Sequence, residues 1–294
     1  MNAPFALGPL ANAPITNGLS VDVEDWFQVG AFETVIDRKD WDSLPPRVER
    51  NTLAVLDLFA ETGVKATFFT LGWVAARHPA LIRRIVDAGH EIASHGWDHA
   101  RVFTLTPDAF ATDIGDARRA IEDAAGVAVT GYRAPSFSID ARTPWAHAVL
   151  AEQGYAYSSS VAPIAHDHYG WPKAPRFAYR PLKDAPLIEL PITIARVAGR
   201  PMATGGGFFR LFPGAWTDRA IRAVNRGEGH AAIFYFHPWE IDRDQPRVAQ
   251  APLRSKLRHY ARLGAMAGKL SRLIANHRWG RIDAVVAAEA GVMV

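Results

Sequence analysis

Cysteine is absent from this sequence of 294 residues, and no apolar run approaches the length that a membrane-spanning helix needs. Without thiols the chain can form no disulfide, thiolate metal site or cysteine nucleophile, so any bound metal ion must be held by His, Asp or Glu. Residues 1–17 contain neither a basic segment nor a long apolar core, which argues against a secretory signal. We therefore expect a cytoplasmic protein with no transmembrane segment.

Acidic residues are missing from residues 245–282, where nine cationic side chains occur. They are Arg247, Arg254, Lys256, Arg258, Arg262, Lys269, Arg272, Arg278 and Arg281. Such a segment favours contact with an acidic polymer, a nucleic acid or a membrane surface. It contains no recognised nucleic-acid motif, so we expect no nucleic-acid partner and retain a peripheral contact through this region as a prediction.

Apolar residues in the same segment recur at roughly helical spacing. They are Leu253, Leu257, Tyr260, Leu263, Leu270 and Leu273. This spacing predicts a basic amphipathic helix that packs on its own domain.

The remaining composition is that of an ordinary globular protein, with 49% hydrophobic and 21% charged residues. Strand-like apolar runs alternate with helix-like segments, and about seven such units can be recognised, which predicts an α/β fold with a parallel sheet or barrel. A helix is expected over residues 46–62 and strands over 64–70, 90–94, 127–132, 187–190 and 231–236.

Three chemically interesting clusters follow predicted strands, at Asp22, His95 and His237. Because the carboxyl ends of parallel strands meet at one rim, we expect these side chains to gather there. His95 and His99 are four residues apart and can bind one metal ion with a carboxylate. That carboxylate is Glu24 or Asp25: Glu24 is favoured because it lies on the same side of an extended strand as Asp22, whereas Asp25 needs a bulge or turn.

In their order along the chain, these clusters resemble the motifs of the polysaccharide deacetylase family, also called the NodB-homology or carbohydrate esterase family 4 group. The motif residues are Asp22 with Glu24 and Asp25, then His95 and His99, then Arg133, Pro135 and Phe137, and finally His237 after Phe234-Tyr235-Phe236. The resemblance covers residues 19–240. The sequence departs from the family in its first motif, since Val23 separates acidic residues that are usually adjacent.

The resemblance implies a distorted (β/α)7-type barrel of the NodB-homology kind, in a single domain with a C-terminal helical extension. Residues 1–18 would form an N-terminal arm and residues 19–240 the barrel, with a cover rich in proline and glycine over 160–215. Residues 241–294 would form a basic extension packed on the barrel. The runs Ser-Val-Asp-Val-Glu-Asp-Trp-Phe, Gly-Gly-Gly-Phe-Phe-Arg and Tyr-Phe-His-Pro-Trp-Glu-Ile-Asp look like the branch associated with exopolysaccharide and exosortase gene clusters.

The implied activity is metal-dependent removal of N-acetyl groups from an N-acetylated polysaccharide or glycan. Asp22 would act as the general base, His237 would protonate the leaving amine, and Arg133 would orient Asp22 or form an ordinary structural ion pair. One divalent ion is expected, Zn²⁺ first, with Co²⁺ or Ni²⁺ as alternatives. Residues expected to contact the sugar are Pro135, Phe137, Trp26, Trp97 and Trp239, although core packing explains tryptophans equally well.

Two other functions are compatible with the sequence. A related hydrolase could cleave another C–N bond, as in allantoin, a cyclic imide or a formylated lipid-linked sugar. A catalytically silent carbohydrate-binding protein would bind glycan without metal dependence, but the joint presence of Asp22, His95, His99 and His237 argues against it.

Overall fold

The structure is a computed structural model, and it describes residues 5–9, 14–166, 169–197 and 200–291. The strands in these residues are β1 (Phe5–Ala6), β2 (Asn17–Val23), β3 (Thr67–Thr70), β4 (Glu91–Ser94), β5 (Gly131–Tyr132), β6 (Tyr157–Ser158), β7 (Tyr179–Arg180), β8 (Ile188–Glu189), β9 (Ile194–Val197), β10 (Arg200–Ala203), β11 (Ile233–Phe236) and β12 (Trp279–Gly280).

The helices alternate with the strands over most of the described chain. They are α1 (Val48–Thr62), α2 (Gly72–Arg77), α3 (Pro79–Asp87), α4 (Pro107–Ala125), α5 (Ala146–Glu152), α6 (Gly206–Leu211), α7 (Gly214–Ala223), α8 (Leu253–Tyr260), α9 (Leu263–Asn276) and α10 (Ile282–Glu289). Short 3₁₀ turns cover Arg38–Ser43, Val102–Thr104, Pro135–Phe137 and Pro238–Ile241, and a π turn covers Val224–Glu228.

The main sheet has the order β1-β7-β8-β6-β5-β4-β3-β2-β11, and β12 pairs with β2. The run from β8 to β11 is parallel throughout, whereas β7 is antiparallel to β8 and β1 is antiparallel to β7. Thr193 bridges the two ends of the parallel run, since its amide donates to the Ile233 carbonyl (3.2 Å) and its hydroxyl accepts from the Ile233 amide (2.7 Å). The predicted fold class, a distorted α/β barrel, is confirmed.

Helix α1 illustrates how the local sequence determines an element. Its buried face carries Val48, Val55 and Phe59 at helical spacing, and it ends at Gly63, whose φ of +68° suits a residue without a Cβ atom. The predicted helix over 46–62 is therefore confirmed to within two residues.

Several strands are shorter than predicted. Residues 127–132 were expected to form one strand, but only Gly131–Tyr132 pairs with its neighbours. The reason is visible at Val129, whose amide donates to the Glu122 carboxylate (2.9 Å) at the end of α4 rather than to another strand. A local side-chain acceptor has replaced the ladder hydrogen bond.

The C-terminal basic segment differs from the single packed helix predicted for it. The helix is interrupted at Arg262, whose φ is +58°, so that α8 and α9 are separate. On α9, Leu270 and Leu273 are buried, as expected, but on α8 the side chains of Leu253 and Leu257 are 70% and 64% exposed. The prediction that Leu253 and Leu257 pack on the domain is therefore wrong, and α8 instead packs through His259, whose ring contacts Phe32 and Trp239.

After α9 the chain returns to the main sheet. Trp279 and Gly280 pair in parallel with Asn17 and Gly18 at the start of β2. Among the described residues, no helix combines the length and the apolarity needed to cross a membrane, and the cytoplasmic location stays a prediction.

Candidate active site

The site lies at the carboxyl ends of three parallel strands. Asp22 is near the end of β2, with Glu24 just beyond it, while His95 directly follows β4 and His237 directly follows β11. Because β2 pairs with both β3 and β11, and β3 pairs with β4, these strand ends lie side by side. The topology thus brings together residues that are more than 200 positions apart in sequence.

Glu24, His95 and His99 form a group in which one ligand atom from each residue lies within 4.8 Å of the others. The Nδ1 atom of His95 is 2.8 Å from the Arg133 carbonyl oxygen. A carbonyl can only accept, so Nδ1 carries the hydrogen and Nε2 keeps its lone pair. Burial lowers the pKa of His95 to about 4, so at neutral pH this imidazole is uncharged, as a metal ligand must be.

His99 reaches the same group through an unusual backbone turn. Its φ is +63°, a left-handed conformation that costs free energy for a residue with a Cβ atom, and Gly96 before it has a φ of +76°. A Cβ atom at Gly96 would also lie 2.9 Å from the Asp113 carboxylate. The turn therefore requires glycine at position 96, and it brings His99 Nε2 to 3.0 Å from Glu24 Oε2.

The Glu24 carboxylate fits the role of a metal ligand. Its Oε1 accepts a hydrogen bond from the indole of Trp239 (3.0 Å), whereas Oε2 is buried and accepts none, although His99 Nε2 is close. Burial opposes ionisation, but the electrostatic interactions of Glu24 with the neighbouring His99 and His237 side chains lower its pKa to about 2. Two imidazoles and an ionised carboxylate with an orphaned oxygen form a donor set suited to Zn²⁺, Co²⁺ or Ni²⁺.

Asp25, the other carboxylate considered for the metal, lies outside this group. Its Oδ2 accepts from the backbone amides of Arg47 (2.7 Å) and Val48 (3.0 Å), and its Oδ1 accepts from the amide of Trp26 (2.8 Å). Burial raises the pKa of Asp25 to about 6. The side chain therefore caps the first turn of α1, a structural role.

Asp22 is held by the fully buried guanidinium of Arg133. Nη1 donates to Asp22 Oδ1 and to the Ser20 hydroxyl, both at 2.7 Å. Nε and Nη2 donate to the carbonyl (3.1 Å) and hydroxyl (3.0 Å) of Ser159 on the far side. Arg133 thus joins the ends of β2 and β6 and fixes the orientation of Asp22, whose Oδ2 faces His237 Nε2 at 3.9 Å.

His237 is positioned by Glu240, a residue that the sequence analysis gave no role. Glu240 Oε2 accepts from the backbone amide (3.0 Å) and lies 3.1 Å from Nδ1 of His237, while its Oε1 accepts from Arg210 Nη1 (2.6 Å). Glu240 follows His237 by three residues, which is the spacing of a capping box, and the contact could have been predicted from this spacing in the sequence. Arg210 belongs to the Gly-Gly-Gly-Phe-Phe-Arg run, but its partner is 30 residues away.

Electrostatics favour the charged form of His237. Burial lowers its pKa, but the carboxylates of Glu24, Glu240 and Asp22 outweigh burial and raise the pKa to about 9. A cation bound at Glu24 would reduce the effect of the Glu24 charge on the pKa of His237 but would leave the hydrogen bond between Glu240 and His237 in place. His237 is therefore suited to donate a proton.

A cleft with a volume of about 600 Å³ opens above these residues. Phe137 and Trp239, two of the five residues expected to contact sugar, line it. Pro135, Trp97 and Trp26 are not among its lining residues. Trp97 packs on Gly72, while the Trp26 indole is buried and donates to the Pro45 carbonyl (3.1 Å).

The fold and the site together define an α/β barrel protein with a candidate metal centre at the carboxyl ends of its strands. Residues 40–158 match the family model for polysaccharide deacetylases, and residues 159–287 match a domain of unknown function, DUF3473. The match over residues 40–158 confirms the resemblance to polysaccharide deacetylases that was drawn from the motifs. Asp22 and Glu24 precede the first matched segment, and His237 lies in the second.

Characterised relatives resemble part of the chain. A chitooligosaccharide deacetylase from Bradyrhizobium sp. is 34% identical over 127 residues, which are 43% of this chain and 52% of that protein. Chitin deacetylase 1 from Cryptococcus neoformans is 30% identical over 126 residues, 41% of this chain and 26% of the relative. A peptidoglycan-N-acetylglucosamine deacetylase from Listeria monocytogenes is 34% identical over 84 residues, 29% of this chain and 18% of the relative. The chain thus spans about half of the first of these proteins, about a quarter of the second and less than a fifth of the third.

Solved structures show the same fold over nearly the whole chain. The structure of a protein assigned to the polysaccharide deacetylases from Mycobacterium smegmatis has a TM-score of 0.63 at 20% identity, and the match covers 98% of this chain and 95% of that one. The Bc1960 peptidoglycan N-acetylglucosamine deacetylase has a TM-score of 0.50 at 15% identity, with 95% and 90% covered. The first match includes the C-terminal part of the chain that follows the deacetylase segment.

Proposed function

We propose that this protein is a metal-dependent hydrolase that removes N-acetyl groups from an N-acetylated glycan. The observation that carries the proposal is the convergence of Glu24, His95 and His99 beside a carboxylate, Asp22, and an imidazole, His237. The names of the relatives, which act on chitin, chitooligosaccharide and peptidoglycan, support an N-acetylated glycan as the substrate class.

Glu24, His95 and His99 would hold the metal ion, for which we propose Zn²⁺ first and Co²⁺ or Ni²⁺ as alternatives. A bound divalent cation polarises the amide carbonyl and lowers the pKa of water. Three protein ligands leave coordination positions free, as catalytic sites require.

Asp22 and His237 would each carry out one of the two proton transfers. Asp22, oriented by Arg133, accepts a proton from the attacking water as a C–O bond forms to the acetamide carbon. His237, oriented by Glu240, gives its proton to the nitrogen as the C–N bond breaks, so that acetate and a free amine leave. Arg133 and Glu240 act through Asp22 and His237 and are positioning residues.

The test measures acetate release from N-acetylglucosamine oligomers by the metal-free and the reconstituted protein. Reconstituted wild type should release acetate, and Asp22→Asn should bind metal but lose turnover by about a hundredfold or more. Asp42→Asn removes an exposed carboxylate that pairs with Arg77 and serves as the matched control. Full activity in Asp22→Asn would show that Asp22 is not the base. No acetate release from these oligomers, together with formate release from an N-formylated sugar or ring opening of a cyclic imide, would favour the related C–N hydrolases.

A further inference from the structure

One side of helix α8 is apolar and exposed, and the chemistry proposed above does not use it. Leu253 and Leu257 are 70% and 64% exposed, the highest values of any large apolar side chain in the described part of the chain. They are four residues apart and therefore lie on the same side of the helix. Single exposed leucines are ordinary on a protein surface, whereas an apolar patch rimmed by polar groups marks a contact surface.

A groove of about 500 Å³ runs beside these leucines, and two cationic side chains line it together with them. The cations are Arg247 and Lys256. Lys256 Nζ donates to a neutral group, the Ala249 carbonyl (3.2 Å), and the Arg247 guanidinium lies 4.2 Å from the centre of the Tyr260 ring. Neither contact neutralises the positive charge of the groove.

The segment that forms the groove supplies no carboxylate of its own. Residues 245–282 contain no Asp or Glu. The acidic residues that precede this segment, Asp242 and Asp244, pair with Arg50 (2.9 Å) and Arg243 (3.7 Å). The groove therefore combines exposed apolar side chains with positive charge, and its chemical complement is an anionic amphiphile.

We propose that Leu253, Leu257, Arg247 and Lys256 form a docking face that binds an anionic lipid surface. The two leucines would enter the boundary between headgroups and acyl chains, and the two cations would meet the headgroup phosphates. The inference goes beyond the hydrolysis proposed above and does not depend on it.

A lipid surface suits the docking face better than a second copy of this chain does. A symmetric interface joins the same patch of both copies, so that the cations of one copy would lie near those of the other without carboxylates between them. A stable protein partner also needs a matching surface of about 800 Å². The boundary of a fluid bilayer, by contrast, adapts to two protruding side chains.

The test is co-sedimentation of the full chain with two kinds of vesicle, phosphatidylcholine alone and phosphatidylcholine with phosphatidylglycerol in equal parts. Wild type should bind the mixed vesicles at least about tenfold more tightly, and added salt should weaken this binding. Arg247→Gln/Lys256→Gln should weaken binding to the mixed vesicles by about tenfold or more. Arg83→Gln/Arg84→Gln removes the same charge from exposed positions on α3 and should bind as wild type does.

The apolar part of the docking face is tested with Leu253→Ser/Leu257→Ser. This variant should also bind the mixed vesicles about tenfold or more weakly, because two apolar side chains no longer leave water on docking. Val127→Ser is the control, since Val127 is 43% exposed after the end of α4, and it should have no effect. Thermal unfolding of the leucine variant should match that of wild type, because both leucines are exposed.

Four results would overturn the docking face. They are no vesicle binding by wild type, equal binding to both kinds of vesicle, equal effects of the α8 variants and their controls, and calorimetric binding of inorganic phosphate that Arg247→Gln/Lys256→Gln abolishes in a chain that does not bind vesicles. The last result would assign a small-anion site instead. A dimer in analytical ultracentrifugation that dissociates in Leu253→Ser/Leu257→Ser, without vesicle binding, would show that a second copy covers this face.

Discussion

Replacing Arg133 by lysine should destabilise the protein even though the positive charge is retained. The guanidinium donates toward Asp22 and Ser20 on one side and to both oxygens of Ser159 on the other. A lysine ammonium is a single point and cannot span these two sides. It would keep the Asp22 contact and leave the Ser159 carbonyl and hydroxyl without their donor.

The size of the effect follows from those two lost partners. Each buried polar group left unsatisfied costs roughly 1–3 kcal/mol, so Arg133→Lys should lower the free energy of unfolding by about 2–6 kcal/mol. The assay is urea denaturation of metal-free protein, analysed at a constant m-value. The matched control is Arg119→Lys, because Arg119 pairs with Asp116 at the exposed surface, where an ion pair is worth about 0–1 kcal/mol. Equal small losses in the two variants would refute this account of Arg133.

Three further predictions concern stability. Asp25→Ala removes the acceptor for the amides at the start of α1 and should lower the free energy of unfolding, measured by urea denaturation, by about 1–2 kcal/mol. The metal stoichiometry, measured by elemental analysis, should stay unchanged. Loss of metal would show that Asp25 is a metal ligand. Burial lowers the pKa of His90 from 6.5 to about 4. Between these two pH values the unfolded chain binds more protons than the folded chain, so the free energy of unfolding should fall as the pH falls. The loss should be up to about 1.4 kcal/mol per pH unit in wild type. His90→Asn keeps an acceptor for the Ala66 amide and should lack this slope; parallel denaturation profiles of the two proteins would contradict the assignment. Zinc at a hundred times its Kd should stabilise metal-free wild type by about 2.7 kcal/mol and leave His99→Ala unchanged in thermal melts, and equal shifts would point to another metal site.

The sequence was sufficient to predict the parts of the site that depend on local pattern. Apolar runs mark the strands, and Asp22, His95 and His237 follow three of them, so a parallel sheet must bring them to one rim. Strand alternation already favoured Glu24 over Asp25, but the role of Asp25 could be assigned only from the fold. It depends on the start of α1, more than twenty residues away, where the amides of Arg47 and Val48 donate to Oδ2 of Asp25.

The features that the sequence did not reveal depend on long-range packing. Arg210 meets Glu240 only because α6 lies against the loop after β11. Trp26 lies beside the acidic motif but is buried in the core, whereas Trp216, to which the sequence patterns gave no role, is 44% exposed. The break between α8 and α9 at Arg262, whose φ is +58°, is likewise not visible in the apolar periodicity of the segment. The division into arm, barrel and extension, and the exopolysaccharide branch, stay predictions.

The central claim is that Glu24, with His95 and His99, holds the metal ion while Asp25 does not. Calorimetric titration of zinc into metal-free Glu24→Gln and Asp25→Asn tests it directly, since both variants replace one carboxylate by its amide one position apart. We expect Asp25→Asn to bind one ion as wild type does and Glu24→Gln to bind at least about a hundredfold more weakly. Tight binding by Glu24→Gln, or its loss in Asp25→Asn alone, would contradict the site described above.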